Sequence, residues 1–119
     1  MPVKAAWEGG NLGVFRVSGR LGQDQIRPMQ DECEAVIRTL GHIRLLVILD
    51  DFQGWEQGGD WSDWSFAERN HPYIDKFAIV GDERWRDLAY AFVAKGLRPV
   101  PIEYFDAGDE ARARDWLGL

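Results

Sequence analysis

The sequence predicts an α/β fold with one mixed sheet of about five strands and about four helices. Apolar residues run without interruption from Leu45 to Leu49, and such a run is typical of a strand that is covered on both faces. Around it, segments with the alternating polarity of strands are followed by segments whose apolar residues have helical spacing, and the predicted order is ββαβαβαβα. A chain of 119 residues fits a single domain, 1–119.

The first part of the chain reads as a hairpin followed by a helix that crosses over to the central strand. The hairpin strands lie at 3–8 and 12–18, because the glycines between them tolerate the positive φ of tight turns. Residues 19–23 form a connector. Asp24 is the predicted N-cap of the helix, and Gly41 closes it as the C-cap. The apolar stripe of this helix contains Ile26, Met29, Cys33, Val36, Ile37 and Leu40.

The middle of the chain holds the central strand and the segment in which we expect function. The strand covers residues 43–52. Residues 50–60 read as a polar loop with glycine hinges, and residues 61–70 as a helix. A His-Pro pair ends this helix, because the residue before proline avoids the α region. The next strand spans residues 74–80.

The last part of the chain carries the clearest helical pattern. Asp82 is the predicted cap of this helix, and its apolar residues form one buried stripe. They are Trp85, Leu88, Ala89, Phe92 and Val93. A strand at 99–105 follows, and its prolines favour an edge position in the sheet. Either Asp106 or Asp109 caps a closing helix. The residues that this helix buries are Ala113, Trp116 and Leu117.

Charge and cysteine content narrow the class of protein. The net charge of −6 argues against non-specific nucleic-acid binding, which needs clustered Lys and Arg. Cys33 is the only cysteine, so we expect no intrachain disulfide and interpret it as a buried, inert thiol on a helix face. The sequence shows neither a signal pattern nor a spanning apolar run. We therefore expect a soluble, cytoplasmic protein that binds no nucleic acid.

The polar side chains form no complete catalytic motif. The acidic residues after the central strand match no calcium loop, and we interpret them as caps and solvated loop residues. They are Asp50, Asp51, Glu56, Asp60 and Asp63. His42 and His71 each stand alone near a helix end, where the helix dipole favours histidine. The glycines match no phosphate-binding motif. We expect no enzymatic activity, no metal and no cofactor.

Aromatic residues after the central strand form the candidate ligand-binding set. They are Phe52, Trp55, Trp61, Trp64, Phe66 and Trp85. Trp61 and Phe66 point about 140° apart on a helical wheel, which is too wide for one buried stripe. These aromatics either complete the core or line an apolar pocket. The pocket would lie between the end of the central strand and the helices at 61–70 and 83–95.

Three segments carry a family resemblance. Residues 41–46 read Gly-His-Ile-Arg-Leu-Leu, residues 82–89 read Asp-Glu-Arg-Trp-Arg-Asp-Leu-Ala, and residues 109–117 read Asp-Glu-Ala-Arg-Ala-Arg-Asp-Trp-Leu. In this order they resemble the SpoIIAA-like proteins, small bacterial proteins of the STAS fold that is also described as Sec14-like. The resemblance implies a mixed sheet and a non-enzymatic role, with binding of an apolar or lipid-like small molecule and transient membrane contact. The alternative is a regulatory module that forms a homodimer or binds a protein partner.

The chain departs from STAS regulators at their phosphorylation switch. Anti-sigma-factor antagonists of that group carry a phosphorylatable Ser or Thr at the start of the helix after the central strand. Residues 50–55 read Asp-Asp-Phe-Gln-Gly-Trp and contain no hydroxyl group. Ser62 and Ser65 lie further on, where Asp60 and Asp63 would repel a phosphate. We therefore expect a module without a switch serine.

Overall fold

The computed structural model describes residues 3–56, 69–93 and 100–118, which form one five-stranded sheet and three α-helices. The strands are β1 Val3–Glu8, β2 Leu12–Leu21, β3 Ile43–Trp55, β4 Ile74–Gly81 and β5 Ile102–Asp106. The helices are α1 Gln23–Leu40, α2 Arg86–Val93 and α3 Glu110–Trp116. Short 3₁₀ turns span His71–Tyr73 and Glu83–Trp85. The predicted helix at 61–70 lies mostly outside the described residues, and its last two residues are helical.

The strands follow one another across the sheet in chain order, with β3 in the middle. β1 pairs antiparallel with β2, and the remaining neighbours pair in parallel. The predicted mixed sheet, its antiparallel hairpin and the edge position of the last strand are therefore confirmed. No helix in the part of the chain that the structure describes is long and apolar enough to cross a membrane.

Side chains alternate between two faces of the sheet, as strand geometry requires. On the α1 face, Phe15 and Leu45 pack against Cys33 and Ile37 of α1, and α2 covers the neighbouring strands through Ala89. On the α3 face, the buried residues are Leu12, Val14, Leu46, Ile48, Ala78, Val80, Ala113 and Leu117. Both faces of β3 are thus covered, as its uninterrupted apolar run predicts.

The predicted start of α1 is wrong. β2 continues to Leu21 instead of ending at residue 18, and Gly22 rather than Asp24 is the N-cap. The Gly22 N–H donates to the Gln25 side chain at 2.7 Å. A Cβ atom on Gly22 would lie 2.2 Å from Glu56 Oε1, so a larger residue here would displace the Glu56 carboxylate, which is distant in sequence. The predicted C-cap is confirmed, because Gly41 is left-handed with φ of 91°.

The helix after β4 also departs from the prediction. Asp82 caps the first turn as predicted, accepting a hydrogen bond from the Arg84 N–H at 2.9 Å. That turn is 3₁₀ through Trp85, and α2 follows it. Leu88 was predicted in the buried stripe, but 54% of it is exposed. Ala89 is buried, and the side chains of Phe92 and Val93 lie outside the described residues.

The closing elements follow the prediction closely. β5 begins at Ile102 and ends at Asp106, slightly later than predicted. Of the two predicted caps for the closing helix, Asp109 occupies the N-cap position of α3. Ala113 and Leu117 are buried there. Trp116 is partly buried, and its ring centroid lies 6.0 Å from that of Phe105.

Candidate functional site

The carboxyl end of β3 is irregular where it pairs with β2. The pairing moves from Val17 opposite Leu49 to Gly19 opposite Phe52 and then to Arg20 opposite Gly54. In the first step, β3 uses three residues where β2 uses two. In the second step, β3 uses two residues where β2 uses one. Each extra residue is a β-bulge, and Asp51 and Gly54 adopt positive φ values of 55° and 106° there. The predicted polar loop at 50–60 is wrong up to Trp55, because these bulges let the strand continue.

The bulges gather aromatic side chains on one side of the sheet. Phe52 and Trp55 are three residues apart and would face opposite sides of a regular strand. Here their ring centroids are 5.0 Å apart, and those of Phe52 and Trp85 are 5.1 Å apart. The two tryptophan rings are 6.1 Å apart, and all three pairs meet edge to face. We call Phe52, Trp55 and Trp85 the aromatic cluster.

Aliphatic side chains support the aromatic cluster from below. Phe52 is 3% exposed, whereas Trp55 and Trp85 are partly exposed. The supporting residues are Val3, Val17, Leu21, Ile26, Val47 and Leu49. A Cβ atom on Gly54 would lie 3.3 Å from the Trp85 ring. Gly54 is thus needed both for its backbone conformation and for the close approach of that ring.

The structure brings together half of the predicted ligand-binding set. Phe52, Trp55 and Trp85 form the aromatic cluster, while Trp61, Trp64 and Phe66 lie outside the described residues. Gly54 is part of β3 and not a loop hinge. Sequence reasoning missed Leu21 and Ile26 as supports of the cluster. The signal for Leu21 was present, because the alternation of Phe15 and Val17 continues past residue 18.

Hydrogen bonds tie the neighbouring strand ends together. The Tyr104 hydroxyl donates to the Asp82 carbonyl at 2.7 Å, and the Tyr104 N–H donates to the Tyr90 hydroxyl at 2.9 Å. Burial, together with the negative charges of Asp82 and Asp106, raises the pKa of Tyr104 to about 12. Burial also raises the pKa of Tyr90. A Cβ atom on Gly81 would lie 2.7 Å from the Tyr104 hydroxyl, so this junction leaves little room for a side chain at residue 81.

Polar groups near the end of β3 face solvent. Asp50 and Asp51 are exposed, and Gln53 Nε2 donates to Asp51 Oδ1 at 3.2 Å. Within residues 3–56, 69–93 and 100–118, no three His, Cys, Asp or Glu side chains are grouped as metal ligands would be. Cys33 is buried, and desolvation followed by Glu32 and Glu34 raises its pKa to about 12, so the thiol is protonated at neutral pH.

A concavity lies near the carboxyl end of α1, away from the aromatic cluster, and sequence reasoning did not anticipate it. It has a volume of about 340 Å³ and is lined by Glu34, Ile37, Arg38, Gly41, Asn70 and Tyr73. Arg69 Nη2 lies 3.0 Å from Glu34 Oε1 across its rim. Hydrogen bonds from Arg69 and Asn70 lower the pKa of Glu34. These contacts join α1 to the segment that precedes β4.

Comparison with known proteins identifies the family. A sequence profile of the SpoIIAA-like family matches residues 12–118. The chain belongs to the SpoIIAA-like family. This SpoIIAA-like chain is also similar to an uncharacterised protein of the DUF3478 family with a SpoIIAA-like fold from Shewanella loihica PV-4. The two share 19% identity and a TM-score of 0.72 over 97% of this chain and 91% of that chain, which shows a common fold. No curated protein matches the chain.

Proposed function

We propose that this SpoIIAA-like domain is a non-enzymatic binding module that holds an apolar or lipid-like small molecule against the aromatic cluster. The observation that carries the proposal is the pair of bulges in β3. They place Phe52 and Trp55 on one side of the strand and leave Trp55 and Trp85 partly exposed. A strand without bulges would turn one of these two β3 rings to the opposite face.

The position of the cluster supports a binding role. Ligands of open α/β sheets commonly bind beyond the carboxyl ends of parallel strands, and the cluster lies at the carboxyl end of β3. Phe52, at 3% exposure, forms a fixed base for the two indoles. An indole presents a large apolar surface with one polar donor, which suits contact with an alkyl chain that carries a polar head. The remaining predicted members, Trp61, Trp64 and Phe66, belong to the same proposal.

Exposed carboxylates next to the cluster favour a free ligand over a stable membrane attachment, while Arg84 lies over the Trp85 ring, 5.1 Å from its centroid. Asp50 and Asp51 are exposed just before Phe52, and Asp82 and Glu83 are exposed just before Trp85. Carboxylates at these positions oppose contact with an anionic lipid surface. The domain therefore takes up the molecule as a soluble carrier or sensor, and its membrane contact is transient. A protein partner gripped by the same surface is the alternative, which the experiment below separates.

The test is calorimetric titration with sodium decanoate below its micelle concentration. We expect saturable binding to the wild type and binding about tenfold weaker, or about 1.4 kcal/mol, in Trp85→Ala. Trp116→Phe is the matched control, because Trp116 packs against Phe105 on the α3 face, and its affinity should equal that of the wild type. Circular dichroism checks that each variant is folded.

Two outcomes contradict the proposal. One is the absence of saturable heat in a folded wild type together with native mass spectra that show no bound apolar mass. The other is equal affinity in Trp85→Ala and the wild type, which would place the ligand elsewhere. A folded chain that binds no decanoate but retains a protein partner only while Trp85 is intact would favour the alternative function.

A further inference from the structure

We propose that β1 is a homodimerisation edge, on which β1 of a second copy pairs antiparallel across a twofold axis at Ala6. The axis is perpendicular to the sheet, so the sheet continues from one copy into the other. This surface is separate from the aromatic cluster, and its test does not depend on ligand binding.

The two edges of the sheet differ in how they are protected. At the β5 edge, the Tyr90 hydroxyl from α2 accepts the Tyr104 N–H at 2.9 Å, and Pro101 precedes the strand. Both features hinder the addition of another strand there. β1 is one residue longer than β5, contains no proline, and is the other end strand of the sheet that the described residues form. Its outer backbone groups are the ones that a further strand would pair with.

The side chains of β1 leave this edge accessible. Lys4, Ala5 and Ala6 are exposed. Trp7, the one bulky aromatic side chain of the strand, turns inward, because its ring lies 2.8 Å from the position of a Cβ on Gly13 and meets Phe15 edge to face. The Trp7 indole N–H donates to Glu32 of α1 at 3.0 Å. The outer edge therefore presents mainly small side chains to an incoming strand.

The sequence of β1 is complementary to itself in one register. Directly opposed residues in an antiparallel pair lie on the same face of the sheet. A twofold axis perpendicular to the sheet must therefore place one residue of β1 opposite the same residue of the partner. An axis at Ala6 places Lys4 opposite the partner's Glu8, twice per dimer, and the small Ala5 opposite the partner's Trp7. An axis at Lys4 or at Glu8 would place like charges opposite each other, which is destabilising.

Charges within one copy also favour this pairing. Lys4 lies opposite Arg16 of β2, and Arg16 already pairs with Glu110 at 3.3 Å. No ion pair of Lys4 is formed within the residues that the structure describes. Glu8 contacts Arg114 at 3.0 Å, and 48% of its side chain stays exposed, so it can accept a second cation. The partner's Glu8 thus supplies the counter-ion that Lys4 lacks beside Arg16.

The test is a charge-swap experiment by sedimentation velocity over a concentration series of the full chain. We expect the wild type to form dimers as concentration rises. Lys4→Glu alone and Glu8→Lys alone place like charges opposite each other, so the dimer dissociation constant should rise about tenfold in each. An equimolar mixture of the two variants restores opposite charges at both pairs and should associate at least as well as the wild type.

Controls separate the register from charge and folding effects. Arg112→Glu changes the charge by the same amount as Lys4→Glu at an exposed site on α3, and should dimerise like the wild type. Ala6→Cys should form a disulfide-linked dimer under mild oxidation, whereas wild-type Cys33 is buried and should not. Lys4→Glu and Ala6→Cys keep the test valid if Glu8→Lys, which also loses its contact with Arg114, fails to fold.

The proposal is overturned by any of three results. The first is a wild type that stays monomeric up to millimolar concentration. The second is a Lys4→Glu variant that dimerises like the wild type. The third is a mixture of two folded charge variants that stays monomeric.

Discussion

The two faces of the sheet are covered in different ways. On the α1 face, the 18-residue α1 and the eight-residue α2 cover large side chains such as Phe15, which is 1% exposed. On the α3 face, α3 has seven residues. It and its cap bury Ala113 and Leu117 against the sheet. A helix of two turns buries little apolar area, so packing by itself holds it weakly.

Directed polar contacts hold α3 in place. Arg114 contacts Glu8 of β1 at 3.0 Å and Glu110 at 3.1 Å, tying the helix to the edge of the sheet. At the other end, Arg44 donates to the Leu117 carbonyl at 2.6 Å. Lys76 donates to the Trp116 carbonyl at 2.8 Å. Cations at the last carbonyls of a helix complement its dipole. The comparison teaches that the short α3 combines its few buried residues with position-specific polar contacts at both of its ends.

The largest effect is expected on the α1 face. Phe15→Ala should destabilise the protein by about 3–5 kcal/mol, because it removes a buried ring between α1 and the sheet. The loss is measured as the shift of the denaturant midpoint between variants that have the same slope of unfolding free energy against denaturant concentration. Leu88→Ala is the control, and its exposed side chain predicts a change within about 0.5 kcal/mol. Equal losses in the two variants would mean that α1 does not pack on Phe15.

The α3 face should show a comparable core in spite of its short helix. Leu46→Ala should cost about 2–5 kcal/mol, because Leu46 is 0% exposed and its removal leaves a cavity. Ile48→Ala should fall in the same range. Urea unfolding of both variants tests this. Losses below about 0.5 kcal/mol at both sites would mean that β3 is not covered on its α3 face.

A smaller effect is expected from overpacking the junction of β4 and β5. Gly81→Ala places a methyl group 2.7 Å from the Tyr104 hydroxyl and 2.9 Å from Leu49 Cβ, and should cost about 1–3 kcal/mol. Gly108→Ala is the matched control, since a Cβ there meets no atom within 4 Å. Thermal unfolding compares the two. A Gly81→Ala variant as stable as Gly108→Ala would show that the junction can relax.

The polar anchors of α3 predict a salt-dependent loss. Arg114→Met removes the contacts with Glu8 and Glu110 and should cost about 1 kcal/mol at low salt, because 26% of the Arg114 side chain is exposed and solvent screens it in part. The loss should shrink in high salt. Phe15→Ala measured in the same buffers should not show this dependence. A salt-independent loss in Arg114→Met would assign the effect to packing of its aliphatic stem.

A further effect concerns the pH dependence of stability on the α1 face. Burial raises the pKa of Tyr104 from 10.0 to about 12, so the folded state keeps a proton that the unfolded chain releases near pH 10. This contribution is full below pH 10 and is lost as pH rises towards 12. The stability gap between the wild type and Tyr104→Phe should therefore narrow over that window. Tyr73→Phe, at an exposed position, serves as the control, and parallel curves for Tyr104→Phe would contradict the prediction.

Local signals in the sequence determined the class of the fold and most element positions. The hairpin, the end of α1 at Gly41 and the start of β3 follow from turn residues, a C-cap and an apolar run, which are properties of neighbouring residues. The SpoIIAA-like resemblance rests on the same local segments and is confirmed. Trp55 could be selected as a candidate site residue because it follows the strand that the apolar run locates, and Trp85 because it begins the clearest helical stripe.

Contacts between distant residues decided what the local signals missed. Gly22 is the N-cap of α1 because β2 continues to Leu21, where the Leu21 carbonyl accepts a hydrogen bond from the distant Glu56 N–H at 2.9 Å. The bulges of β3 depend on its pairing with β2, so no pattern within β3 could place Phe52 and Trp55 in one cluster. Periodicity assigned Leu88 to a buried stripe, yet it faces solvent, because a helical period records spacing and only packing against the sheet selects the buried face.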